Sequence, residues 1–311
     1  MQEDNIKVSV VVPLLNEEGN IGVLTERVLA VARRYSDYEL LFVDDGSIDN
    51  TLKIIKEIRK VNNKIHYISF SRNFGHQNAL RAGLDYATGD CVISMDGDLQ
   101  HPPELIPKMI QKWQEGYDIV YTIRKEDMKL PLIKRKAANI FYKIMNRFSD
   151  IKIDGGAADF RLLDRNVVEI IKSIKENALF MRGMISWLGF RHCGIEYVSG
   201  KRNWGETKYT FKKMMNFAIE GITSFSIKPL RISMIFGYII AILAFLYGIY
   251  AIAIKLFTNQ TVSGWTSLLV GFLFIGGIQM IMIGILGEYI GRLFIESKKR
   301  PNYIIRDKSY E

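Results

Sequence analysis

Two long uncharged runs close to the C-terminus constrain the fold of this 311-residue chain more than any other feature. Residues 232–254 and residues 265–287 contain no Asp, Glu, Lys or Arg. Each run is long enough to cross the hydrocarbon core of a bilayer as one helix. The sequence therefore predicts two transmembrane helices with a short external loop within residues 232–290, and the remaining chain must fold outside the membrane.

The distribution of Lys and Arg around these runs predicts their orientation. The loop between the runs carries only Lys255, whereas both outer flanks are basic, and the N-terminus has no apolar signal-peptide core. Positive residues favour the cytosolic side of a membrane. We therefore expect a multi-pass protein of the inner (cytoplasmic) membrane whose N-terminal domain and both termini are cytosolic, with residues 291–311 forming a basic tail. The flanking cations are Lys228, Arg231, Arg292, Lys298, Lys299 and Arg300.

The charge balance narrows the class of partner. The chain has 42 Lys and Arg against 33 Asp and Glu, a formal net charge of +9. A basic balance favours anionic partners, and beside membrane segments it favours lipid headgroups and phosphorylated small molecules. The sequence contains no recognisable RNA- or DNA-binding motif, so nucleic acid is not expected as a partner. Cys91 and Cys193 form neither a metal-spaced cluster nor a disulfide framework.

The first two thirds of the chain alternate between strand and helix patterns. Short runs rich in β-branched and aromatic residues are separated by segments of helical periodicity, including residues 21–35 and 51–61. This alternation predicts an α/β domain over residues 1–209, with a parallel sheet covered on both faces. Ligands bind such sheets at the carboxyl ends of the strands. The predicted strands are residues 8–15, 40–43, 65–70, 91–95 and 119–123.

An Asp-Gly-Asp sequence follows the fourth predicted strand. Asp96 and Asp98 lie one residue apart, and Gly97 between them permits a tight turn and close approach of a ligand. Hard oxygen ligands of this kind suit Mg²⁺ or Mn²⁺ shared with substrate phosphates, and Gln100 can add an amide oxygen. The alternative interpretation is an acidic turn without a ligand.

Adjacent carboxylates also follow the second predicted strand, where Asp44 and Asp45 precede Gly46. Such a pair is costly to bury without partners. One interpretation is that they cap the next helix, with Asp49 in a similar role; the other is that they hydrogen-bond a nucleobase or ribose. Asn16 and Glu17 add a third polar cluster at the same edge.

Two further segments have the character of interfacial helices. Residues 132–148 combine apolar residues at helical spacing with a basic face, which fits either a solvated surface helix or a helix near anionic lipid. Residues 210–231 carry a second apolar stripe and are predicted as juxtamembrane amphipathic helices. Small residues in the second apolar run allow close helix packing, so we expect a homo-oligomer. These residues are Gly271, Gly276, Gly277 and Gly284.

The ordered set of motifs resembles the family 2 glycosyltransferases with a GT-A (Rossmann-like) nucleotide-sugar fold. More narrowly it resembles the polyprenyl-phosphate sugar transferases, the group containing dolichyl-phosphate mannose synthase and the bacterial bactoprenol glucosyltransferases. The resemblance covers nearly the whole chain and includes the two C-terminal spans. It rests on VVVPLLNEEGNI, LLFVDDGSIDNT, SRNFGHQNALRAGLDYATGD, SMDGDLQHPPELI, DFRLLDR, KRNWGETKY and GEYIGRLFIESKKRPNYII.

The resemblance implies a role for each matching residue. Asp96, Asp98 and Gln100 match the metal and diphosphate motif, with Asp98 placed among the catalytic residues. Asp159 matches the acidic residue proposed as catalytic base. The implied nucleotide-sugar contacts are Pro13, Glu17, Asp44, Asp45, Asp96, Gly97, Arg202 and Trp204. The implied acceptor-phosphate contacts are Arg124, Lys134 and Arg135.

The resemblance also implies a reaction. A hexose, with glucose from UDP-glucose as first expectation, passes with inversion to a polyprenyl (undecaprenyl) phosphate and serves cell-envelope glycan modification. The QxxRW motif of processive synthases is absent, which favours a single transfer. The alternatives are another donor (GDP-mannose, UDP-GlcNAc or UDP-aminoarabinose), a processive or diacylglycerol glycosyltransferase, and a non-catalytic membrane scaffold.

Overall fold

An eight-stranded sheet organises the N-terminal domain. The computed structural model describes residues 3–124, 157–176, 180–198, 223, 226–258 and 264–310. The strands are β1 (Glu3–Leu14), β2 (Tyr35–Asp44), β3 (Ile65–Phe70), β4 (Cys91–Ser94), β5 (Ile119–Arg124), β6 (Ala157–Asp164), β7 (His192–Tyr197) and β8 (Ile305–Lys308).

The strands lie in the order β7-β5-β6-β4-β1-β2-β3-β8. Among the strands of the described residues, β6 and β8 alone run antiparallel to their neighbours. The central strand β1 is parallel to both neighbours, with Val10 opposite Leu40 of β2 and Ile93 of β4. All three residues are fully buried, as expected for a sheet covered on both faces. The predicted α/β class is confirmed.

Helices cover the two faces of the sheet. They are α1 (Ile21–Ala32), α2 (Thr51–Val61), α3 (His76–Tyr86), α4 (Ile106–Gln114), α5 (Arg165–Ser173) and α6 (Met181–Trp187), with a 3₁₀ turn at Pro103–Leu105. Helices α1 and α4 contribute to the core on one face, whereas α3, α5 and α6 contribute to the core on the other. This double covering fixes the strands and leaves their carboxyl ends accessible to a ligand.

Two long apolar helices follow, α7 (Lys228–Thr258) and α8 (Trp265–Ser297). Within them, Lys228–Ile254 and Val270–Ser297 are long and apolar enough to cross a membrane. A core helix of a soluble protein would be buried, but the hydrophobic window of neither helix is buried within the described part of the chain. At about 1.5 Å per residue, both helices exceed the roughly 30 Å of a bilayer core. The two helices therefore have the properties of a membrane hairpin.

The chain returns to the sheet after α8. Strand β8 pairs antiparallel with the edge strand β3, with Ile68 opposite Lys308 and Phe70 opposite Ile305. Residues 291–311, predicted as a basic tail, thus include the end of α8 and a strand of the N-terminal domain. The sequence gives little sign of this strand because four residues carry too short a pattern to identify it.

Candidate active site

The loops at the carboxyl ends of the parallel strands form one edge, which we call the site edge. It contains residues 15–18, 45–50, 71–75 and 95–101, which follow β1 to β4 in turn. Because β6 is antiparallel to β4, the first residues of β6 reach the same edge. The sheet therefore brings together the acidic residues that the sequence places after separate strands.

The loops after β1 and β2 are fastened to each other by side-chain bonds. Asn16 adopts φ 56°, a left-handed conformation that asparagine tolerates. Its backbone N–H donates to Ser47 Oγ at 2.9 Å, and its Oδ1 accepts from the N–H of Ile48 at 2.9 Å. The N–H of Glu17 donates to Thr51 Oγ1 at 2.9 Å. These bonds place Glu17 beside the loop that follows Asp44 and Asp45.

Asp44 and Asp45 are both buried and hydrogen-bonded. Asp44 accepts from Ser47 N–H at 3.0 Å and from Ser69 Oγ at 2.7 Å. Asp45 accepts from the N–H groups of Phe74, at 2.7 Å, and Gly75, at 3.0 Å. Burial raises the pKa of Asp45 above its usual value despite these bonds. The pair thus joins the loops after β2 and β3.

The recorded hydrogen bonds of Asp44 and Asp45 do not include Thr51, the first residue of α2. Asp49 instead accepts from the backbone N–H of Thr51 at 3.0 Å. Asp49 therefore binds the first N–H of α2 from the residue before the helix cap, while the N-cap residue, Asn50, forms no side-chain capping bond. Asp44 and Asp45 instead hold the loops of the site edge together through their hydrogen bonds.

Gly97 packs closely against the end of β1, and a larger residue would displace the side chain of Leu14. A Cβ at this position would lie 2.2 Å from Cδ2 of the buried Leu14 and 3.6 Å from the carbonyl oxygen of Pro13. The Asp-Gly-Asp segment therefore lies directly against the end of β1. The left-handed residue of this loop is Leu99, at φ 63°, while Gly97 has no positive φ.

Two histidines flank Asp96. His76, the first residue of α3, bonds Asp96 Oδ1 through Nε2 at 2.9 Å. The backbone N–H of Asp96 donates to Nδ1 of His101 at 3.0 Å, which leaves the proton of a neutral His101 on Nε2, 3.7 Å from Asp96 Oδ2. The ring of His101 is buried and stacks on Phe160, with centroids 5.3 Å apart.

His76 and Asp96 stabilise each other's charges. Burial disfavours the charge of Asp96, but the hydrogen bond from His76, the nearby ring of His101 and the charge of His76 hold the pKa of Asp96 below its usual value. Burial would likewise lower the pKa of His76, but Asp96 and then Asp159 raise it above the usual value. Asp96 is thus an oriented, ionised carboxylate.

The remaining members of the Asp-Gly-Asp motif lie in the same loop. The N–H of Gln100 donates to Asp98 Oδ1 at 3.1 Å, and Gln100 Oε1 lies 3.5 Å from Nη1 of Arg124. Arg124 is exposed at the end of β5. The predicted metal motif and the predicted acceptor-phosphate residue Arg124 therefore meet at the site edge.

Asp159 lies near the start of β6 and is held by arginines. Arg182 of α6 binds it in a bidentate pair, Nε to Oδ1 at 2.8 Å and Nη2 to Oδ2 at 3.0 Å. Arg161 Nη2 lies 3.5 Å from Oδ1. Ser94 Oγ donates to the backbone oxygen of Asp159 at 2.7 Å. Burial disfavours the carboxylate charge, but Arg182 and Arg161 outweigh it, so the pKa of Asp159 lies far below its usual value.

Tyr197, at the end of β7, senses the charges of the site edge. Burial is the main reason that the pKa of its hydroxyl is raised, and the charges of Arg124, Asp96, Asp98 and Arg182 also act on it. These four side chains come from the loop after β4, the end of β5 and helix α6.

The donor set of this edge fits a divalent cation shared with a substrate. Among the residues that the structure describes, no three His, Cys, Asp or Glu side chains are grouped to enclose a metal. Mg²⁺ is commonly held by one or two carboxylates and completes its coordination with substrate phosphates and water. Asp96 and Asp98 provide two such carboxylates.

Four predicted site residues lie outside the described parts of the chain. They are Lys134, Arg135, Arg202 and Trp204. The predicted basic helix at residues 132–148 lies outside them as well. The structure does describe three partners that sequence reasoning did not place in the site. Neither His76 nor His101 is among the site residues predicted from the sequence, and Arg182 carries no local signal because its partner lies 23 residues earlier in the chain.

Family models match the chain in two places. Residues 9–171 match glycosyl transferase family 2, and residues 228–293 match the GtrB C-terminal hairpin. The first match covers just over half of the chain, including the second half of β1, all of β2 to β6 and all the carboxylates of the site edge. The chain therefore belongs to glycosyl transferase family 2 and is a glycosyltransferase. Within the family, it carries the C-terminal hairpin formed by α7 and α8.

Curated relatives match over nearly the full length. The prophage bactoprenol glucosyl transferase homolog of Escherichia coli (strain K12) is 47% identical, covering 97% of this chain and 99% of the relative. The bactoprenol glucosyl transferase of Shigella phage SfV is 46% identical, also covering 97% and 99%. Among solved structures, mannosyl-3-phosphoglycerate synthase from Rubrobacter xylanophilus has a TM-score of 0.48 and 15% identity, covering 69% of this chain and 71% of that one.

Proposed function

We propose that this chain transfers a single hexose, glucose from UDP-glucose, to a polyprenyl phosphate such as undecaprenyl phosphate. The proposal rests on one observation: Asp96 and Asp98 lie at the carboxyl edge of the sheet of a domain that is followed in the chain by an apolar helical hairpin. A donor site facing water and an acceptor site next to lipid are what this reaction needs. Full-length similarity to proteins named bactoprenol glucosyl transferase supports this choice of sugar and acceptor.

The donor is proposed to bind along the site edge. Asp96, Asp98 and Gln100 are the proposed ligands of Mg²⁺ or Mn²⁺, which when bound neutralises charge on the departing diphosphate. The nucleotide is proposed to lie beside the fastened loops after β1 and β2. The proposed nucleotide-sugar contacts are Pro13, Glu17, Asp44, Asp45, Asp96, Gly97, Arg202 and Trp204.

The acceptor phosphate is proposed to bind beside the donor, at Arg124 together with Lys134 and Arg135. Arg124 supports this placement because its guanidinium is exposed and lies 3.5 Å from Gln100 of the metal motif. A guanidinium binds phosphate oxygens in a bidentate manner. The lipid tail is proposed to extend toward the membrane hairpin.

The proposed reaction is one in-line displacement. An oxygen of the polyprenyl phosphate attacks the anomeric carbon, the bond from that carbon to the diphosphate oxygen breaks, and its electron pair leaves with UDP. Configuration at the anomeric carbon inverts. The acceptor phosphate is already anionic at neutral pH, since the second pKa of a phosphate monoester is about 6. Little proton abstraction is needed, and holding both substrates in line is the main contribution of the protein.

Asp159 is therefore proposed to orient Arg182 and is not required as a base. The bidentate pair with Arg182 and the approach of Arg161 occupy its carboxylate and lower its pKa, which makes it a weak proton acceptor. A guanidinium fixed in this way is proposed to supply positive charge at the site edge, where the phosphates of both substrates are proposed to meet.

The enzyme is proposed to be a multi-pass protein of the cytoplasmic membrane, with both termini cytosolic. The basic flanks of the hairpin support this orientation. Strand β8 supports it independently, because the chain before α7 and the chain after α8 both belong to the N-terminal domain. A homo-oligomer is also proposed. Chemical crosslinking in membranes tests it, with a ladder of oligomers expected and monomer alone contradicting it.

A donor panel tests the proposed function. Detergent-purified protein is incubated with undecaprenyl phosphate, Mg²⁺ or Mn²⁺, and radiolabelled UDP-glucose, UDP-GlcNAc, GDP-mannose or UDP-aminoarabinose, and the lipid is then extracted. We expect label in the lipid from UDP-glucose, lost with EDTA and restored by added metal. The labelled lipid should be labile to mild acid, as a sugar joined through one phosphate is.

The other candidate functions give different results in the same assay. Label from another donor alone would correct the sugar. A labelled polymer or an acid-stable diacylglycerol glycolipid would contradict the acceptor. Nucleotide binding without label transfer from any donor would indicate a non-catalytic membrane scaffold.

A further inference from the structure

The chain after α8 packs against the N-terminal domain through several specific contacts. We call residues 298–310 the C-terminal strap. Its main chain continues the sheet beyond the β3–β8 ladder, with Ser71 N–H donating to the carbonyl oxygen of Ile304 at 3.0 Å and Ser309 N–H to that of Tyr67 at 2.9 Å. Asp307 forms an ion pair with Lys56 of α2 at 2.5 Å. The strap therefore covers an edge strand that would otherwise present unpaired backbone groups.

Tyr303 fixes the strap at the end nearer the site edge. Its ring stacks on Phe70, the last residue of β3, with centroids 5.1 Å apart and planes at 14°. Its hydroxyl donates to Asp85 Oδ2 of α3 at 2.8 Å. Phe70 in turn meets the ring of Phe74 edge-on at 5.7 Å. Tyr303 thus contacts the strand before residues 71–75 and the helix after them.

Tyr310 fixes the opposite end of the strap. Its ring stacks on His66, near the start of β3, with centroids 4.4 Å apart. Its hydroxyl donates to Oε2 of the buried Glu39 at 3.1 Å. This second anchor resembles the first in chemistry but lies toward the amino end of β3, away from the site edge.

Residues 71–75, the segment between β3 and α3, help to position two side chains of the proposed donor site. The N–H groups of Phe74 and Gly75 hold Asp45. Gly75 has φ 98° and is followed by His76, which holds Asp96. A change in the position of residues 71–75 would therefore move a proposed nucleotide contact and a proposed metal ligand together.

From these contacts we propose that Tyr303 is a positioning residue of the donor site, through which the strap at the end of the membrane hairpin holds residues 71–75 in place. The inference rests on the proposed function for its catalytic consequence. The strap leaves α8 at Ser297 and reaches Tyr303 within a few residues, so the anchor connects the membrane hairpin to the loop that orients Asp45 and Asp96.

Matched variants of the full-length protein test the proposal. Tyr303→Ala removes the stack and the hydroxyl, Tyr303→Phe keeps the stack, and Tyr310→Ala removes the distant anchor. Hydrogen–deuterium exchange reports the loop without relying on catalysis. We expect residues 71–76 to exchange about three- to tenfold faster in Tyr303→Ala, in line with the strength of one aromatic pair. Tyr303→Phe should restore slow exchange because Arg81 still pairs with Asp85.

Kinetics supply the second readout. Tyr303→Ala should raise the KM for the nucleotide-sugar more than it lowers kcat, while Tyr310→Ala should leave both close to wild type. Faster exchange at residues 71–76 in both variants, or in neither, would overturn the proposal. If Tyr303→Ala does not fold, Tyr303→Leu, which fills the space without stacking, replaces it. Absence of transfer in every variant, wild type included, would contradict the proposed function, and the exchange data would still decide the role of Tyr303.

Discussion

Replacing Asp98 with asparagine is expected to lower the rate of sugar transfer by about 10²- to 10³-fold, the usual cost of removing one preorganised electrostatic contact. The substitution keeps the shape of the side chain and removes its charge. The amide oxygen of the new side chain would still accept the bond from Gln100 N–H, so the loop should keep its structure. The lower rate should therefore come from weaker stabilisation of the departing diphosphate, whose charge the proposed metal would neutralise.

Asp37→Asn is the matched control for this prediction. Asp37 also forms charged contacts, with Lys64 at 3.1 Å and Lys7 at 3.7 Å, but it lies in β2 toward the opposite edge of the sheet. Initial rates should be measured for both variants over a range of Mg²⁺ and Mn²⁺ concentrations. Asp37→Asn should retain most activity. Equal activity of Asp98→Asn and wild type would contradict the proposed metal site.

Replacing Arg182 with alanine is expected to lower transfer by about 10²-fold, a loss typical of misplacing a group in the site by an ångström. The change leaves the buried Asp159 without its bidentate partner, and among the described arginines Arg161, at 3.5 Å, still approaches its carboxylate. Arg182→Lys retains the positive charge without the planar pair and should recover part of the activity. Melting temperatures measured alongside separate this effect from unfolding.

The same variants distinguish an orienting Asp159 from a catalytic base. If Asp159 only orients Arg182, then Asp159→Asn, Arg182→Ala and the double variant should lose a similar amount of activity. Each of these changes disrupts the same ion pair between Asp159 and Arg182. If Asp159 is the base, Arg182→Ala should raise its pKa and make it a better proton acceptor, while Asp159→Asn alone abolishes transfer. The pH dependence of kcat/KM completes the test. If Asp159 only orients Arg182, then Arg182→Ala should show no additional loss of activity at acidic pH.

Sequence reasoning identifies the elements whose signal is local. The predicted strand at residues 65–70 agrees with β3 in full, and the predicted helix at residues 51–61 agrees with α2. Both have hydrophobic patterns bounded by polar loops. The position of Asp96 after β4 also follows from local pattern, because a parallel strand must deliver its last residues to the carboxyl edge.

Local sequence patterns do not predict which distant segments of the chain pair with each other. Asp159 reaches the site edge because β6 runs antiparallel between β4 and β5, and nothing local in Ala157–Asp164 specifies that direction. The Asp159–Arg182 pair and the contact of Tyr303 with Phe70 join segments far apart in the chain. Such contacts depend on how the sheet is assembled, so only the structure supplies them.

A mass spectrum of the lipid product tests the proposed reaction without relying on a label. Purified protein is given UDP-glucose, undecaprenyl phosphate and Mg²⁺, and released UDP is counted in parallel. We expect one new lipid, undecaprenyl phosphate carrying a single hexose on its phosphate, formed in equal amount to UDP. UDP release without a glycosylated lipid, or a lipid with several hexoses, would contradict it.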